Sequence, residues 1–422
     1  MYDAIVVGAR VAGSPTAMLL ARKGYKVLLL DRASFPSDTL STHQIQLKGG
    51  AALQRWGLLD RVLASGCPPA RKLSFITDRV TLQGEYPPLE GVGAVISPRR
   101  TVLDKILVDA AVEAGAELRE DLRVEGLTFD GGQVTGIRGR VKSGKSEGNA
   151  ELTEHARLVV GADGKHSLVA KSVQAQAYNT RPALTCAYYT YWEGITLDGG
   201  EIYALPRLAV GVSPTNAGLT MIYTAYPITE FPEVKANIED RFWKTMESQP
   251  GLAERVRNGR QAERFYGTAD LPAFYRHPYG PGWALVGDAG LALDPITGQG
   301  IGNAFRDAER LVEAIDAGFS GRATLESALA IYKNQRDEDT LPMYEFTSQL
   351  AEFRPPPVEQ RVLFAAMAKK PDAARRFFGA LTGSMPLQEF FSPRSVISTI
   401  GLAGLGRVLL SKVTRPRRKR TL

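Results

Sequence analysis

Three glycine–acid constellations in this chain have residue types and spacings that could do chemistry. The first is "GARVAG" at Gly8 to Gly13, with Asp31 standing 18 positions beyond Gly13. The second is Asp163-Gly164 in "VVGADGKHSLVAK", and the third is Gly287-Asp288, followed by Pro295 and by Gly298-Gln299-Gly300-Ile301-Gly302. A glycine turn that opens a helix offers backbone amides and a positive dipole end to a phosphate, and an acid closing the next strand can accept from ribose hydroxyls. The second glycine of such a turn normally lets the backbone approach a pyrophosphate, and here it is Arg10. A guanidinium there can pair with a phosphate or lean toward a cofactor ring; an ion pair within the protein and an idle outward side chain are the alternatives. Read alone, the first constellation also allows a βαβ unit with no ligand.

The elements that must position these residues are legible from periodicity. "AIVVG" (Ala4 to Gly8) and "YKVLLL" (Tyr25 to Leu30) are apolar, β-branched-rich runs suited to buried parallel strands. Between them "SPTAMLLARKG" has helical spacing, with Gly24 as a stop. "WALVG" before Asp288 and "ARLVVG" before Asp163 are further buried strands, and "RVEGLTFDGGQVTGIRGRVKSG" through "ELTEHARLVVG" is a β-meander turning at Asp130 to Gly132. The stretch Gly144 to Glu151 is a polar loop carrying no chemistry. "TCAYYTYWEG" (Thr185 to Gly194) and "LTMIYTAYP" (Leu219 to Pro227) alternate as strands, with Ala187, Tyr189 and Tyr191 on one face and Tyr188, Thr190 and Trp192 on the other. Beyond residue 331 the pattern is helical.

Composition bounds the class. The chain has 422 residues, 44% hydrophobic and 23% charged, which suits a globular protein with a sizeable core. Net charge is +7, and five of the positives fall in "RPRRKR" at Arg415 to Arg420, so the body is nearly neutral. No basic, aromatic-rich interior stripe suggests nucleic-acid binding. Cys67 and Cys186 form no CxxC, which fits a reducing cytoplasm, and His43, His155, His166 and His277 have no metal-ligand spacing, so no metal is expected. The first residues lack a signal-peptide pattern, and no run of about 18 apolar residues predicts a membrane span. The C-terminal segment "SPRSVISTIGLAGLGRVLLSKVTRPRRKR" reads as a packed helix with a solvated basic tail, with contact to an anionic membrane surface as the alternative.

The three constellations, in this order and at these separations, resemble the FAD-dependent oxidoreductases of the aromatic-hydroxylase type (single-component flavoprotein monooxygenases) and their geranylgeranyl-reductase-like relatives, over about residues 1 to 330. The resemblance implies an α/β fold: a Rossmann-like FAD-binding domain of the glutathione-reductase type, an interleaved β-sheet substrate domain and a C-terminal helical region. Expected boundaries are 1–70, 98–175 and 268–330 for the FAD domain, 71–97 and 176–267 for the sheet, and 331–422 for the helices. It further implies that Gly8, Gly13, Ser14 and Arg10 line the FAD diphosphate, that Asp31 holds the adenosine ribose with Arg32 beside the adenine, and that Arg100, in "RRTVLDK", touches FAD. Asp163 would face the cofactor, Gly287-Asp288 its ribityl or pyrophosphate part, and Pro295, Gly298, Gln299, Gly300 and Ile301 its isoalloxazine. Two departures stand out besides Arg10: the second motif ends in Ala170-Lys171 where the family has arginine, which weakens an expected pyridine-nucleotide contact, and the Trp-x-Trp-x-Ile-Pro signature of flavin halogenases is absent, Trp192 standing alone.

The implied activity is NAD(P)H-dependent monooxygenation of an apolar or aromatic small molecule through a flavin hydroperoxide, with a C=C reductase of the geranylgeranyl type as the alternative. Tyr189, Tyr191, Tyr203 and Tyr223 are the candidate substrate contacts, although any one of them could be plain core. No acid–base pair is legible; His43, in "STHQI", is the one weak candidate for proton transfer and otherwise a flavin or pocket contact.

Overall fold

The structure, a computed structural model, describes residues 1–141 and 151–413; the loop residues 144–150 and the basic run 415–420 lie outside the described residues. Strand β1 (Tyr2–Val7), helix α1 (Gly13–Arg22) and strand β2 (Val27–Leu30) form the first βαβ unit. Both strands are buried almost throughout, as apolar parallel strands covered on two faces must be. β1 pairs in parallel with β2 and with strand Glu151–Gly161; Trp283–Leu285 and Glu117–Arg119 extend the parallel sheet on either side.

Strand Glu151–Gly161 serves two structures. Its second half joins the parallel sheet through Ala156 to Gly161, and its first half pairs antiparallel with Gln133–Val141, which pairs in turn with Leu122–Asp130. The hairpin turns at Gly131 and Gly132, both with positive φ, so the meander leads directly into the Asp163 turn.

A second sheet carries Thr185–Glu193 between Thr220–Pro227 and the short strands Arg260–Gln261 and Tyr266–Thr268, and continues through Leu208–Pro214, Gly200–Leu205, Lys72–Thr77 and Thr81–Glu85. Its alternation divides the aromatics: Ala187, Tyr189, Tyr191, Met221 and Tyr223 pack together on one face, while Trp192, Val212 and Ile222 pack on the other against Phe242 and Met246 of helix Ile238–Glu247. Strand Ala177–Arg181, inside the range expected for this sheet, pairs with Ala273–Arg276, which pairs with Leu291–Ala292, in a separate three-stranded sheet beside the Gly287 turn. The helices after residue 325 do not stand apart: Leu363, Met367, Phe377, Phe378 and Phe390 bury the outer end of the second sheet at Leu73, Phe75 and Leu82.

Candidate functional site

The three constellations converge at the carboxyl ends of the parallel strands. Gly8 follows β1 with φ +102, and a Cβ there would lie 2.5 Å from the Ala162 carbonyl oxygen at the end of the neighbouring strand. Gly287 closes the next strand, and its Cβ would lie 2.7 Å from that of Ala12, at the start of α1. Only residues without side chains allow the three turns to meet this closely. The Ser14 hydroxyl donates to the Ala9 carbonyl at 2.8 Å, while one Asp31 oxygen accepts from Ala9 N (2.8 Å) and the other from Ala33 N (2.9 Å). Asp31 therefore ties the end of β2 to the glycine turn. Arg32 beside it is exposed and makes no hydrogen bond or ion pair among the described residues.

Asp163 caps the short helix that follows it, one oxygen accepting from Leu168 N at 2.6 Å. Its other oxygen is buried and has no protein partner, and burial pushes the carboxyl above its usual range. Asp288 is solvent-accessible, yet enough protein surrounds it to push its carboxyl up to about 6, with Lys165 and Arg100 opposing. Asp294, buried, is also pushed up to about 6 by burial; it accepts from the Thr185 hydroxyl at 2.6 Å and from Ile296 N at 3.0 Å. That last bond starts the short turn Pro295–Thr297, Gly298 follows in the left-handed region, and helix Gly300–Phe319 begins with its amides free for a ligand. Gln299 donates to the Leu381 carbonyl and Ile301 is core, so they hold this turn from behind. A Cβ on Gly300 would meet no protein atom within 4 Å.

Arg10 is accounted for by protein. Its Nη1 lies 2.7 Å from Asp104 Oδ2, and its Nη2 donates to Ser37 Oγ at 3.0 Å and to the Asp38 carbonyl at 3.3 Å. Of the alternatives for this side chain, the structure shows the ion pair within the protein: Arg10 braces the loop at Ser37 and Asp38 against the helix at Asp104. Arg100 is buried and donates to both oxygens of the same Asp104 at 2.9 and 3.0 Å, so it too is spent on positioning.

Opposite the Pro295 turn stands the aromatic sheet face. Between them lies a narrow cleft, partly open to solvent, with Thr42, Gln44, Pro295 and Ile296 on one side and Gly211, Met221 and Tyr223 on the other. The Tyr223 hydroxyl is buried without a partner. His43 is buried with a left-handed backbone (φ 58); its Nε2 hydrogen-bonds the Tyr191 hydroxyl and its Nδ1 is buried without a partner. Burial, then the charges of Arg100 and Arg99, push its pKa down to about 3. A histidine this hard to protonate relays hydrogen bonds and is a poor base near neutrality. Tyr189 meets the His43 ring edge-on at 5.7 Å, and the Arg99 guanidinium lies 4.0 Å over the Tyr191 ring while pairing with Glu263 at 2.7 Å. Tyr203 is a correction: it stands on the helix-covered face, bonded to Glu201 and Arg255, away from the cleft.

Sequence reasoning missed two braces. Arg276 donates to the Ala289 and Lys165 carbonyls at 2.8 and 2.9 Å, linking the second and third turns, and the fully buried Arg336 donates to the Gly290 and Arg276 carbonyls. Neither sits in a motif. Asp104 was detectable, since its i, i+4 spacing from Arg100 is that of a helical ion pair.

These residues fit FAD: three glycine turns at one sheet end, a free helix N-terminus, an orphaned Asp163 oxygen and open space at Gly300. Fold and site together define an FAD-binding α/β oxidoreductase. The FAD binding domain family, FAD_binding_3, matches residues 1–345, and the chain belongs to it. The chain is 29% identical over 322 residues to a digeranylgeranylglycerophospholipid reductase of Methanocella arvoryzae, covering 72% of this chain and 74% of that protein. Its fold is shared by the myxobacterial chondrochloren halogenase CndH (TM-score 0.76, 20% identity, 96% and 97% of the two chains) and by a flavoprotein/dehydrogenase from Cytophaga hutchinsonii (TM-score 0.77, 18% identity, 98% and 100%). Among the described residues no acid, histidine and cysteine cluster could hold a metal, and no helix is long and apolar enough to cross a membrane.

Proposed function

We propose that this chain is an FAD-dependent monooxygenase that takes NAD(P)H as reductant and inserts an oxygen atom into an apolar or aromatic small molecule. The observation that carries this reading is the cleft between Pro295–Ile296 and the face bearing Met221 and Tyr223. A substrate held there would lie between the sheet face at Met221 and Tyr223 and the turn where the isoalloxazine is expected. When bound, FAD supplies electron transfer and oxygen activation. The uncapped amides at the start of helix Gly300–Phe319 would stabilise negative charge on a reduced ring bound beside them. Tyr223 offers one buried hydroxyl to a polar group of the substrate, and the neutral hydrogen bond between His43 and Tyr191 ties the segment carrying Thr42 and Gln44 to the sheet.

A second reading, C=C reduction, is supported by the 29% identity to the digeranylgeranylglycerophospholipid reductase. The two part under oxygen control. With FAD-loaded protein and a panel of phenolic and isoprenoid substrates, monooxygenation requires oxygen uptake matched to substrate-dependent NAD(P)H oxidation. Turnover of an alkene under argon, with no oxygen uptake in air, would replace the first reading by the second.

A further inference from the structure

We propose that the C-terminal helix seats this protein on an anionic lipid bilayer. The inference stands apart from which reaction the cleft performs. Helix Pro393–Val413 breaks at Gly401, whose φ of 66 is left-handed. After the break one side faces inward: Val408 is buried, and a Cβ on Gly404 would lie 2.6 Å from Ile400 Cβ and 3.3 Å from Val362 Cγ1. The other side carries Leu402, Leu405 and Leu409 at i, i+3 and i+7, which is one helical stripe. Leu402 is 86% exposed and Leu409 54%, and Ile397, ahead of the break, is 44% exposed. Leu402 and Leu409, bare on one stripe with the half-buried Leu405 between them, mark an interaction face.

Charge says what covers it. From Phe390 to Leu422 there is no acid, and there are eight bases: Arg394, Arg407, Lys412, Arg415, Arg417, Arg418, Lys419 and Arg420. A second copy of this chain would set the same positive segment against itself. A bilayer of anionic lipid meets both properties, with acyl chains for the leucine stripe and headgroups for the bases of this acid-free stretch of sequence.

The test uses the full-length, FAD-loaded protein and sedimentation with vesicles of phosphatidylcholine alone or mixed with phosphatidylglycerol. The expected result is binding to the mixed vesicles at least about tenfold above phosphatidylcholine alone, weakened about tenfold by Leu402→Asp with Leu409→Asp and again by Arg417→Glu with Arg418→Glu. Both pairs should keep the parent's FAD content and melting temperature, since Leu402 and Leu409 are exposed and distant from the cofactor turns. The proposal is overturned if the parent stays in the supernatant with both vesicles, if the leucine variant binds as the parent does, or if light scattering finds a dimer that Leu402→Asp dissolves.

Discussion

Arg10 and Asp104 are joined at 2.7 Å, and Asp104 holds Arg100 as well, so one buried carboxylate fixes two arginines from different motifs. This relationship explains how the glycine turn works without its middle glycine. The side chain that replaced it ties the turn to the helix that starts at Arg100.

Removing Asp104 should therefore hurt more than removing Arg10. Asp104→Ala leaves a buried guanidinium unpaired and should cost about 3–5 kcal/mol. Arg10→Gly loses hydrogen bonds from a side chain one-quarter exposed and should cost about 1 kcal/mol, with FAD stoichiometry retained. Denaturant titration together with the FAD absorbance of the purified variants checks both. Loss of FAD from Arg10→Gly at unchanged stability would return the arginine to the cofactor.

Gly300→Ala separates cofactor packing from folding. The new methyl meets no protein atom within 4 Å, so the apo-protein's stability should hold to within about 0.5 kcal/mol. If the isoalloxazine lies against this turn, FAD affinity should fall by about tenfold or more, which corresponds to about 1.4 kcal/mol. Fluorescence titration of apo-protein with FAD reads this directly, and an unchanged affinity would move the ring elsewhere.

Tyr223→Phe should leave stability unchanged or raise it by up to about 1 kcal/mol, because the deleted hydroxyl is buried and unsatisfied. Its effect should appear instead as a raised KM for substrates with a polar group. A clear loss of stability would show that the hydroxyl has a structural partner.

His43 contributes a pH dependence whose sign follows from its burial. Its folded pKa, about 3, lies below the ordinary 6.5, so between these values the unfolded chain binds the extra proton. Stability from this group is complete above pH 6.5 and declines as pH falls toward 3, by at most about 1.4 kcal/mol per pH unit. Asp294, raised to about 6 from 3.8, acts oppositely in its own window: the folded form keeps the proton longer, so stability falls as pH rises from 3.8 to 6. Comparing the parent with His43→Asn by denaturation at pH 5 and pH 7 isolates the histidine. The parent's advantage over the variant should shrink at pH 5, and a constant difference would contradict the neutral, buried histidine.

Local spacing made the first βαβ unit, the three turns and the two faces of Thr185–Glu193 legible, because period-two alternation and glycine punctuation are properties of a few adjacent residues. Tyr203 was misplaced for the same reason. Its face is set by pairing with Val210 in the hairpin, and "IYALPR" carries no alternation strong enough to fix that register. Arg276 and Arg336 were invisible because their partners are backbone carbonyls of distant turns, and a carbonyl leaves no mark in a sequence. Arg10 lay between these cases: its type allowed a phosphate contact or an ion pair, and the ion pair depends on the position of Asp104, 94 residues on.

The most direct test of the proposed chemistry is the origin of the product's new atom. FAD-loaded protein, NAD(P)H and a converted apolar or aromatic substrate are incubated under isotopically heavy oxygen gas, and the product mass is measured. Monooxygenation in the cleft between Ile296 and Tyr223 predicts one heavy oxygen atom per product molecule. A product that gains only hydrogen, or takes its oxygen from water, would contradict it.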